Sequence, residues 1–410
     1  MARVMSYGHS HQQQGPFRHL GPSMTGPVAT MFALHVGTAQ SRRAAPWCVL
    51  STLLLAGCDG AGGIGTGLTP DDDLVCDLDP AFLADGGVGR DGIPALTDPE
   101  IVPTSPMIPA NSFVRDHDRV IAVQLGADWI VIPHNIMWRH EIVNFNGDDR
   151  MVVTYCPLTG SALAFRRNAV GGAEMRVSGL LYNANLVMYD TNVPESFWLQ
   201  MLGEARCGPQ TGTRLERLPA VEMTMAGWRS LHPDSRMVGA PGGFSDWRLY
   251  VRNPYGDEYE DPHNADFLDH PIPLDDGRLP PKERVLGLPG SPPGAPPQAF
   301  SFGAMASLGD HAALQFIYRD APAMVIWDGM REAAMAYRPE VGGRAANFVA
   351  GEGGVVDDLT GTTWAVDGTP VAGPLAGTRR RLRPIADAYV AFWAAWAAFH
   401  PGTRLMPDGT

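Results

Sequence analysis

The feature that most restricts what this chain can fold into is that it contains itself. GEARCGPQTGTRLERLP from Gly203 to Pro219 and GTPVAGPLAGTRRRLRP from Gly368 to Pro384 share G-P-x-x-G-T-R at the same offset. Trp198 precedes the first and Trp364 the second, and each is followed by a Trp four residues before His-Pro: Trp228 with His232 and Pro233, Trp396 with His400 and Pro401. Upstream, DHDRVIAVQL from Asp116 matches PKERVLGL from Pro281, and MVVTYCPLTGSALAFRR from Met151 lies over AMVIWDGMREAAMAYRP from Ala323. Self-similarity at this spacing means one supersecondary unit used twice, each copy roughly 120 residues long, an ordinary small-domain size.

Within a copy the apolar pattern is mainly that of strands. Arg119 to Leu125 and Trp129 to Pro133 are β-branched runs around a Gly126 break, which predicts a hairpin. Met151 to Tyr155 and Ala162 to Phe165 flank a Pro157–Gly160 turn, and Leu186 to Tyr189 and Phe197 to Met201 continue the pattern. Ala220 to Leu231 and Ala386 to Phe399 read as helices, the second with Phe392, Trp396 and Phe399 at helical spacing, best explained as core packing. His-Pro then stops each helix, because proline biases the residue before it away from the helical region. The expectation is an α+β, predominantly β fold in two diverged copies, each with a C-terminal helix. The first repeat covers 91–250, a Pro- and Asp-rich connector 251–281, and the second repeat 282–410.

The N-terminal end points to export. SRRAAPWCVLSTLLLAGC, residues 41–58, has a basic pair, a short apolar core and small residues before Cys58. That core is too short for a bilayer, which needs about 20 residues. Leu55-Ala56-Gly57-Cys58 resembles a bacterial lipobox, so residues 1–57 read as a cleaved leader with Met31 as the better start, and Cys58 as the lipidation site. Residues 58–90 then form the lipidated cysteine and a Gly-rich, acidic tether. The expected location is extracytoplasmic, lipid-anchored to the cell envelope.

Charge narrows the partners. Four of the 31 basic residues precede Cys58 and no acidic one does, so the remainder carries 27 basic against 44 acidic residues, a formal −17. Such a chain repels phosphate backbones, and nucleic acid is excluded as a partner. The membrane, through the lipid, and a small molecule or envelope protein remain. Lys282 is the only lysine, which disfavours lysine chemistry unless it sits in a pocket; Pro280, Pro281 and Glu283 beside it suggest an exposed linker.

Residues present in one copy alone are free of the shared fold's demands. The first copy holds Trp138, His140, Glu141, Asn144, Tyr155, Cys156, Tyr182, Asn183, Asn185 and Asp190, with Asp328 standing in the second copy where Cys156 would fall. HEIVN (140–144), TYCPLTGSALAF (154–165), SGLLYNANLVMYD (178–190) and NPYG (253–256) are similar to the motifs of a bacterial family known only as a domain of unknown function, number thirty-one seventy-nine. The resemblance covers most of the chain from about Asp91. It implies an extracytoplasmic protein of no settled activity. Many relatives read C-P-L-C-G where this chain has Thr159, so a dithiol does not carry over.

Three readings of that cluster stay open. One is a metal site for copper or zinc, with Cys156 and His140 as ligands and Met137, Met151, Met188 and Met201 nearby in sequence. A second is thiol chemistry at Cys156 with His140 and Glu141, against which stands a structural Cys156–Cys207 disulfide, Cys76 being left free or intermolecular. The third is a non-enzymatic site for a small polar ligand or glycan, using Trp138, Asn144, Tyr155, Tyr182, Asn183, Asn185, Asp190 and Trp198. Its bland counterpart has the asparagines closing a tight turn, since Asn tolerates the left-handed region. Whether the chain is an enzyme is not decided at this level.

Overall fold

A computed structural model describes residues 76–406 except 109–110, 127, 243–246 and 292–293. The leader, Cys58 and the tether up to residue 75 lie outside the described residues. Among the described residues no helix is long and apolar enough to cross a membrane.

The first half runs β1 (Arg119–Leu125), β2 (Asp128–Pro133), α1 (His134–His140), β3 (Ile142–Phe145), β4 (Met151–Cys156), β5 (Ser161–Arg166), β6 (Met175–Tyr182), β7 (Asn185–Asp190), β8 (Phe197–Leu199), β9 (Glu204–Cys207), β10 (Ala220–Thr224), α2 (Met225–Leu231) and β11 (Arg236–Val238). The second half follows with β12 (Arg284–Leu288), β13 (Gln298–Ser301), α3 (Phe302–Ala306), β14 (His311–Tyr318), β15 (Ala321–Asp328), β16 (Ala333–Tyr337), β17 (Phe348–Gly351), β18 (Gly354–Asp357), β19 (Thr363–Trp364), β20 (Pro370–Ala372), β21 (Tyr389–Phe392), α4 (Trp393–Phe399) and β22 (Arg404–Met406). The fold is α+β and predominantly β.

Pairing order and sense agree between the halves. β10-β1-β2-β11 is antiparallel twice and then parallel, as is β21-β12-β13-β22. β3-β4-β5 corresponds to β14-β15-β16, and β6-β7-β8-β9 to β17-β18-β19-β20, with a register shift beside Trp198 in one and beside Trp364 in the other. This is what two diverged copies of one unit predict.

The two expected long helices begin later than their apolar runs. Ala220–Thr224 and Tyr389–Phe392 are strands against β1 and β12, and only the last seven residues of each run are helical. A short, largely buried run carries no period that separates strand from helix, and pairing with a neighbouring strand decided it here. Each helix does end at its His-Pro, but a short parallel strand follows, so the helix is not the last element.

Strand alternation then interlocks the halves. Successive side chains of β4 and β15 point to opposite faces. Val153 and Tyr155 join the core of their own half's sheet, while Val152 and Cys156 pack with Val285, Ala391, Trp393 and Trp396 of the other. Correspondingly, Val325 and Trp327 pack with Leu286 and Phe300 of their own half, while Met324 and Ile326 enter the core built on β1, β2 and β10. Main-chain latches repeat the exchange: Phe392 N–H donates to Thr159 O at 2.8 Å, and Thr224 N–H to Arg331 O at 3.2 Å. Each large core therefore belongs to both halves.

Two expectations about particular residues are corrected. Lys282 is not exposed: it is fully buried, its Nζ lying 3.3 Å from the centre of the Tyr259 ring and donating to the Asp266 carbonyl. The aromatic residues of the connector fold back over it, a cation–π cage that pins residues 259–266 to β12. The disulfide joins Cys76 to Cys207, not Cys156 to Cys207, and Cys156 is a free, buried thiol. The Cys156 side chain is turned into the shared core, whereas Cys207 lies on β9 beside the incoming N-terminal segment, with Asp77 N–H donating to Arg206 O. The bridge spans 131 residues, so the chain-entropy relation gives it about 5 kcal/mol. Cys207→Ser is expected to lower the denaturant midpoint accordingly and to abolish the sensitivity of that midpoint to reductant. Parent and variant unfolding together under oxidising conditions would contradict the assigned pair.

Candidate functional site

Four of the sequence motifs converge beneath the connector. Glu141 caps α1 in the left-handed region at φ 55, with its N–H bonded to Met137 O and its own carbonyl accepting from Tyr155 N–H. This turn aims the Glu141 carboxyl inward, where it is bonded to Tyr255 of the NPYG motif. Burial pushes that carboxyl up to about 8, the Tyr255 bond offsetting part of the effect. Cys156 is its neighbour, and burial, then the Glu141 charge, push the thiol up to about 11. Tyr259 closes the group from above by donating to Leu158 O at 2.9 Å.

His140 does not join them as a ligand. Its Nδ1 is 2.8 Å from Pro94 O and its Nε2 2.9 Å from the Tyr250 hydroxyl, and burial lowers its pKa, so the ring is neutral with both nitrogens engaged. Met137, Met151, Met188 and Met201 are core residues with no exposed surface. Among the described residues no group of three or more His, Cys, Asp or Glu is placed to hold a metal ion. A copper or zinc site at Cys156 and His140 thus lacks a donor set. The thiol is also in the wrong surroundings for nucleophilic work, since reactive thiols lie in partly exposed, electropositive places and this one is buried beside a carboxyl.

The polar residues of the third reading are committed to the fold. Asn183 and Ala184 close the β6–β7 hairpin at φ 49 and 56, and Asn144 ties β3 to β6 through Met175 N–H and O. Asn185 Nδ2 reaches Thr159, Ser161 and Gln200 side chains within 3.2 Å, a buried network under the Cys156 turn. Asp190 accepts from Trp198 Nε1 at 2.8 Å, and the second half repeats it with Asp357 and Trp364 at the same distance. Asp190 was therefore wrongly counted as peculiar to one copy. Tyr182 meets Phe399 edge-on, and Trp138 packs against the first core.

Tyr155 belongs to a buried charge cluster where the halves meet. Arg119 and Arg284 hold equivalent places at the starts of β1 and β12, and burial, then Arg284, depress the Arg119 pKa. Arg284 pairs with Glu260, Arg119 donates to Glu332 O at 3.1 Å, and His134, whose ring lies 4.2 Å from that of Tyr155, is 3.1 Å from Glu222. Arg119 and Arg284, His134, and the carboxylates of Glu222, Glu260 and Glu332 thus meet across the two halves and tie them together.

A different place is open to solvent. Between the first half's G-T-R loop and the second half's sheet lies a cleft of about 450 Å³, within the range of small-ligand sites, whose charged lining is Arg206, Arg214, Arg217 and Arg319 with Glu216 and Asp387, beside Leu202, Phe399 and His400. Arg206 and Arg214 share Glu204, and Arg319 takes Asp387. Arg217 donates to two main-chain carbonyls, Met201 O at 2.6 Å and Asp387 O at 3.2 Å, and is bonded to the Tyr389 side chain, with no carboxylate in ion-pair contact among the described residues. Burial, helped by Arg217, lowers His400 to about 3, and the neutral ring is bonded to the Tyr389 hydroxyl at 2.7 Å.

The internal repeat supplies the control for this cleft. Its twin, about 240 Å³, is lined by Asp149, Arg166, Asp367 and Arg381. In register, Asp367 stands where the first half has Leu202, and Leu382 where it has Arg217. Asp367 takes His232 across the halves at 2.6 Å, and that bond holds it below the usual carboxylate range against the burial that would raise it. The two clefts thus differ in charge, one with two aspartates and two arginines, the other with four arginines against Glu216 and Asp387. The four arginines were missed from sequence because Arg214 and Arg217 sit in the motif assigned to the shared fold; the Leu202/Asp367 and Arg217/Leu382 differences were the available signal.

A family model described as a protein of unknown function (DUF3179) matches residues 90–403. No curated protein and no solved structure matches the chain.

Proposed function

The chain belongs to the DUF3179 family of proteins of unknown function, and we propose that it is a non-enzymatic binding module of the cell envelope that takes a small anion in the arginine cleft. The observation that carries this is Arg217, a guanidinium held by two carbonyls and the Tyr389 side chain, with no ion pair among the described residues, in an open cleft beside three more arginines. Arginine presents a planar fork that matches carboxylate or phosphate with two parallel bonds, and a guanidinium without a carboxylate partner gains most from such a guest. The buried thiol, the engaged His140 and the want of a metal donor set leave the catalytic readings without reacting groups. Export through the leader and anchoring at Cys58 complete the proposal, placing the cleft outside the cytoplasm.

Titration with inorganic phosphate at low ionic strength, followed by calorimetry, tests it. Saturable binding is expected, weakened about tenfold or more by Arg217→Met, since a charge-assisted bond is worth about 1.5–3 kcal/mol. Arg214→Ala, at a more exposed position, serves as a second variant in case Arg217→Met unfolds. Because His400 stays neutral above about 4, affinity is expected not to follow that histidine between pH 5 and 8. No saturable binding, or binding indifferent to both substitutions, would remove the reading.

A further inference from the structure

We infer that the second half binds a phenolic amine, in a cleft of about 470 Å³ whose counterpart in the first half is occupied by the chain's own aromatic residues. Strand pairing fixes the correspondence. With Arg119 and Arg284 equivalent, the pairs Val120–Pro133 and Val285–Ser301 make Glu283 the counterpart of Asp118 and Gly303 the counterpart of Asn135. In the first half Asn135 Nδ2 donates to the Asp118 carboxylate, to Phe113 O and to Tyr250 O, which brings two aromatic residues, their rings 5.9 Å apart, onto that place. Gly303 has no amide to gather such segments, and it lies exposed in the wall of the cleft. The neighbouring turn is bare as well. Met330 is 71% exposed where its counterpart Leu158, under Tyr259, is 6% exposed.

The lining selects the guest. Phe302 and Trp327, edge to face at 5.3 Å, form an aromatic wall. The charged lining is Lys282, Glu283, Arg284, Asp310 and Glu332. Both cations are engaged, Lys282 by the Asp266 carbonyl and the Tyr259 ring, Arg284 by Glu260, and Glu332 has Arg119 at 3.6 Å. The Glu283 carboxylate accepts from Ser301 and Gly303, and neither it nor Asp310 is in an ion pair among the described residues. Carboxylates without a cation beside aromatic rings are the surroundings that favour an organic ammonium. Behind the wall stands Arg119, 7% exposed, its guanidinium 5.9 Å from the Phe302 ring centre and its Nη1 donating to Glu332 O. Its Nε and Nη2 have no hydrogen-bond partner among the described residues, and buried donors of that kind gain from an oxygen acceptor such as a ring hydroxyl.

Calorimetric titration of the protein with tyramine tests this. Saturable binding is expected, about tenfold or more weaker in Glu283→Gln/Asp310→Asn, whose cooperative melting is checked, and kept in Glu352→Gln, an exposed carboxylate outside the cleft. Asp310→Asn alone, at an exposed position, serves should the double variant unfold. Phenethylamine, without the hydroxyl, should bind about fivefold more weakly than tyramine, and butylamine, without the ring, at least about tenfold more weakly. Absence of saturable tyramine binding overturns the inference, as does binding that Glu352→Gln weakens as much as the cleft variants do. Butylamine or phenethylamine binding as tightly as tyramine overturns it too, since attraction to carboxylates would then be the whole effect, or the hydroxyl would go unread.

Discussion

Residues 76–250 and 282–406, produced as separate chains, are expected to give no cooperative thermal transition, whereas the continuous chain melts as one unit. The reason is the alternation on β4 and β15, by which every second side chain is buried in the opposite half. A lone first half would expose Val152, Leu163, Phe165 and Met188; a lone second half would expose Met324, Ile326, Met335 and Tyr337. Each fully buried side chain of this kind contributes about 1.5–3 kcal/mol, so four uncovered together equal the whole stability of an ordinary domain. A substitution within the second half, beneath a ring of the shared core, disturbs that core in the intact chain. A Cβ at Gly287 of β12 would lie 2.2 Å from the Trp396 ring, which is fully buried, so Gly287→Ala is expected to cost about 3 kcal/mol. Two halves that each melt cooperatively would refute the shared cores.

Stability is expected to fall as pH rises from about 4.5 to 8, and Glu141→Gln to remove much of that fall. The folded carboxyl titrates near 8 against an ordinary 4.5 because burial penalises its charge. Below 4.5 both folded and unfolded chains hold the proton. Between 4.5 and 8 only the folded chain does, so folding takes up a proton and weakens as protons become scarce. Integrated over that window the loss is about 5 kcal/mol at most. Glutamine keeps a neutral group of the same shape beside Tyr255 and has no proton to lose, so the variant should be more stable than the parent at pH 8 by a few kcal/mol and nearly equal at pH 4. Denaturant midpoints across the range read this directly. Parallel pH profiles for the two proteins would mean that Glu141 is ionised in the fold.

The part of the site legible in the sequence was its composition, not its geometry. Glu141 and Cys156 are neighbours and Tyr255 is bonded to Glu141, while His140 is engaged by Pro94 and Tyr250. Glu141 and Cys156 meet as a buried seal beneath the connector, with Cys156 turned into the core shared by both halves. Exposure decides whether a thiol or carboxyl is chemistry or packing, and exposure depends on what lies on the other side of a sheet. The arginine cleft shows the converse: Arg206, Arg214, Arg217 and Arg319 are spread over more than a hundred residues, and only the crossing of the two halves makes them neighbours.

What the chain's order of residues settled alone is the predominantly β class, most of the strands and the C-terminal ends of two helices, because these follow from local periodicity and from proline's effect on the residue before it. Tertiary structure decided which strand faces which half, which cysteine Cys207 finds and where charge is left unmatched. Those outcomes depend on contacts between segments far apart in the chain, and no local pattern encodes the distance between them.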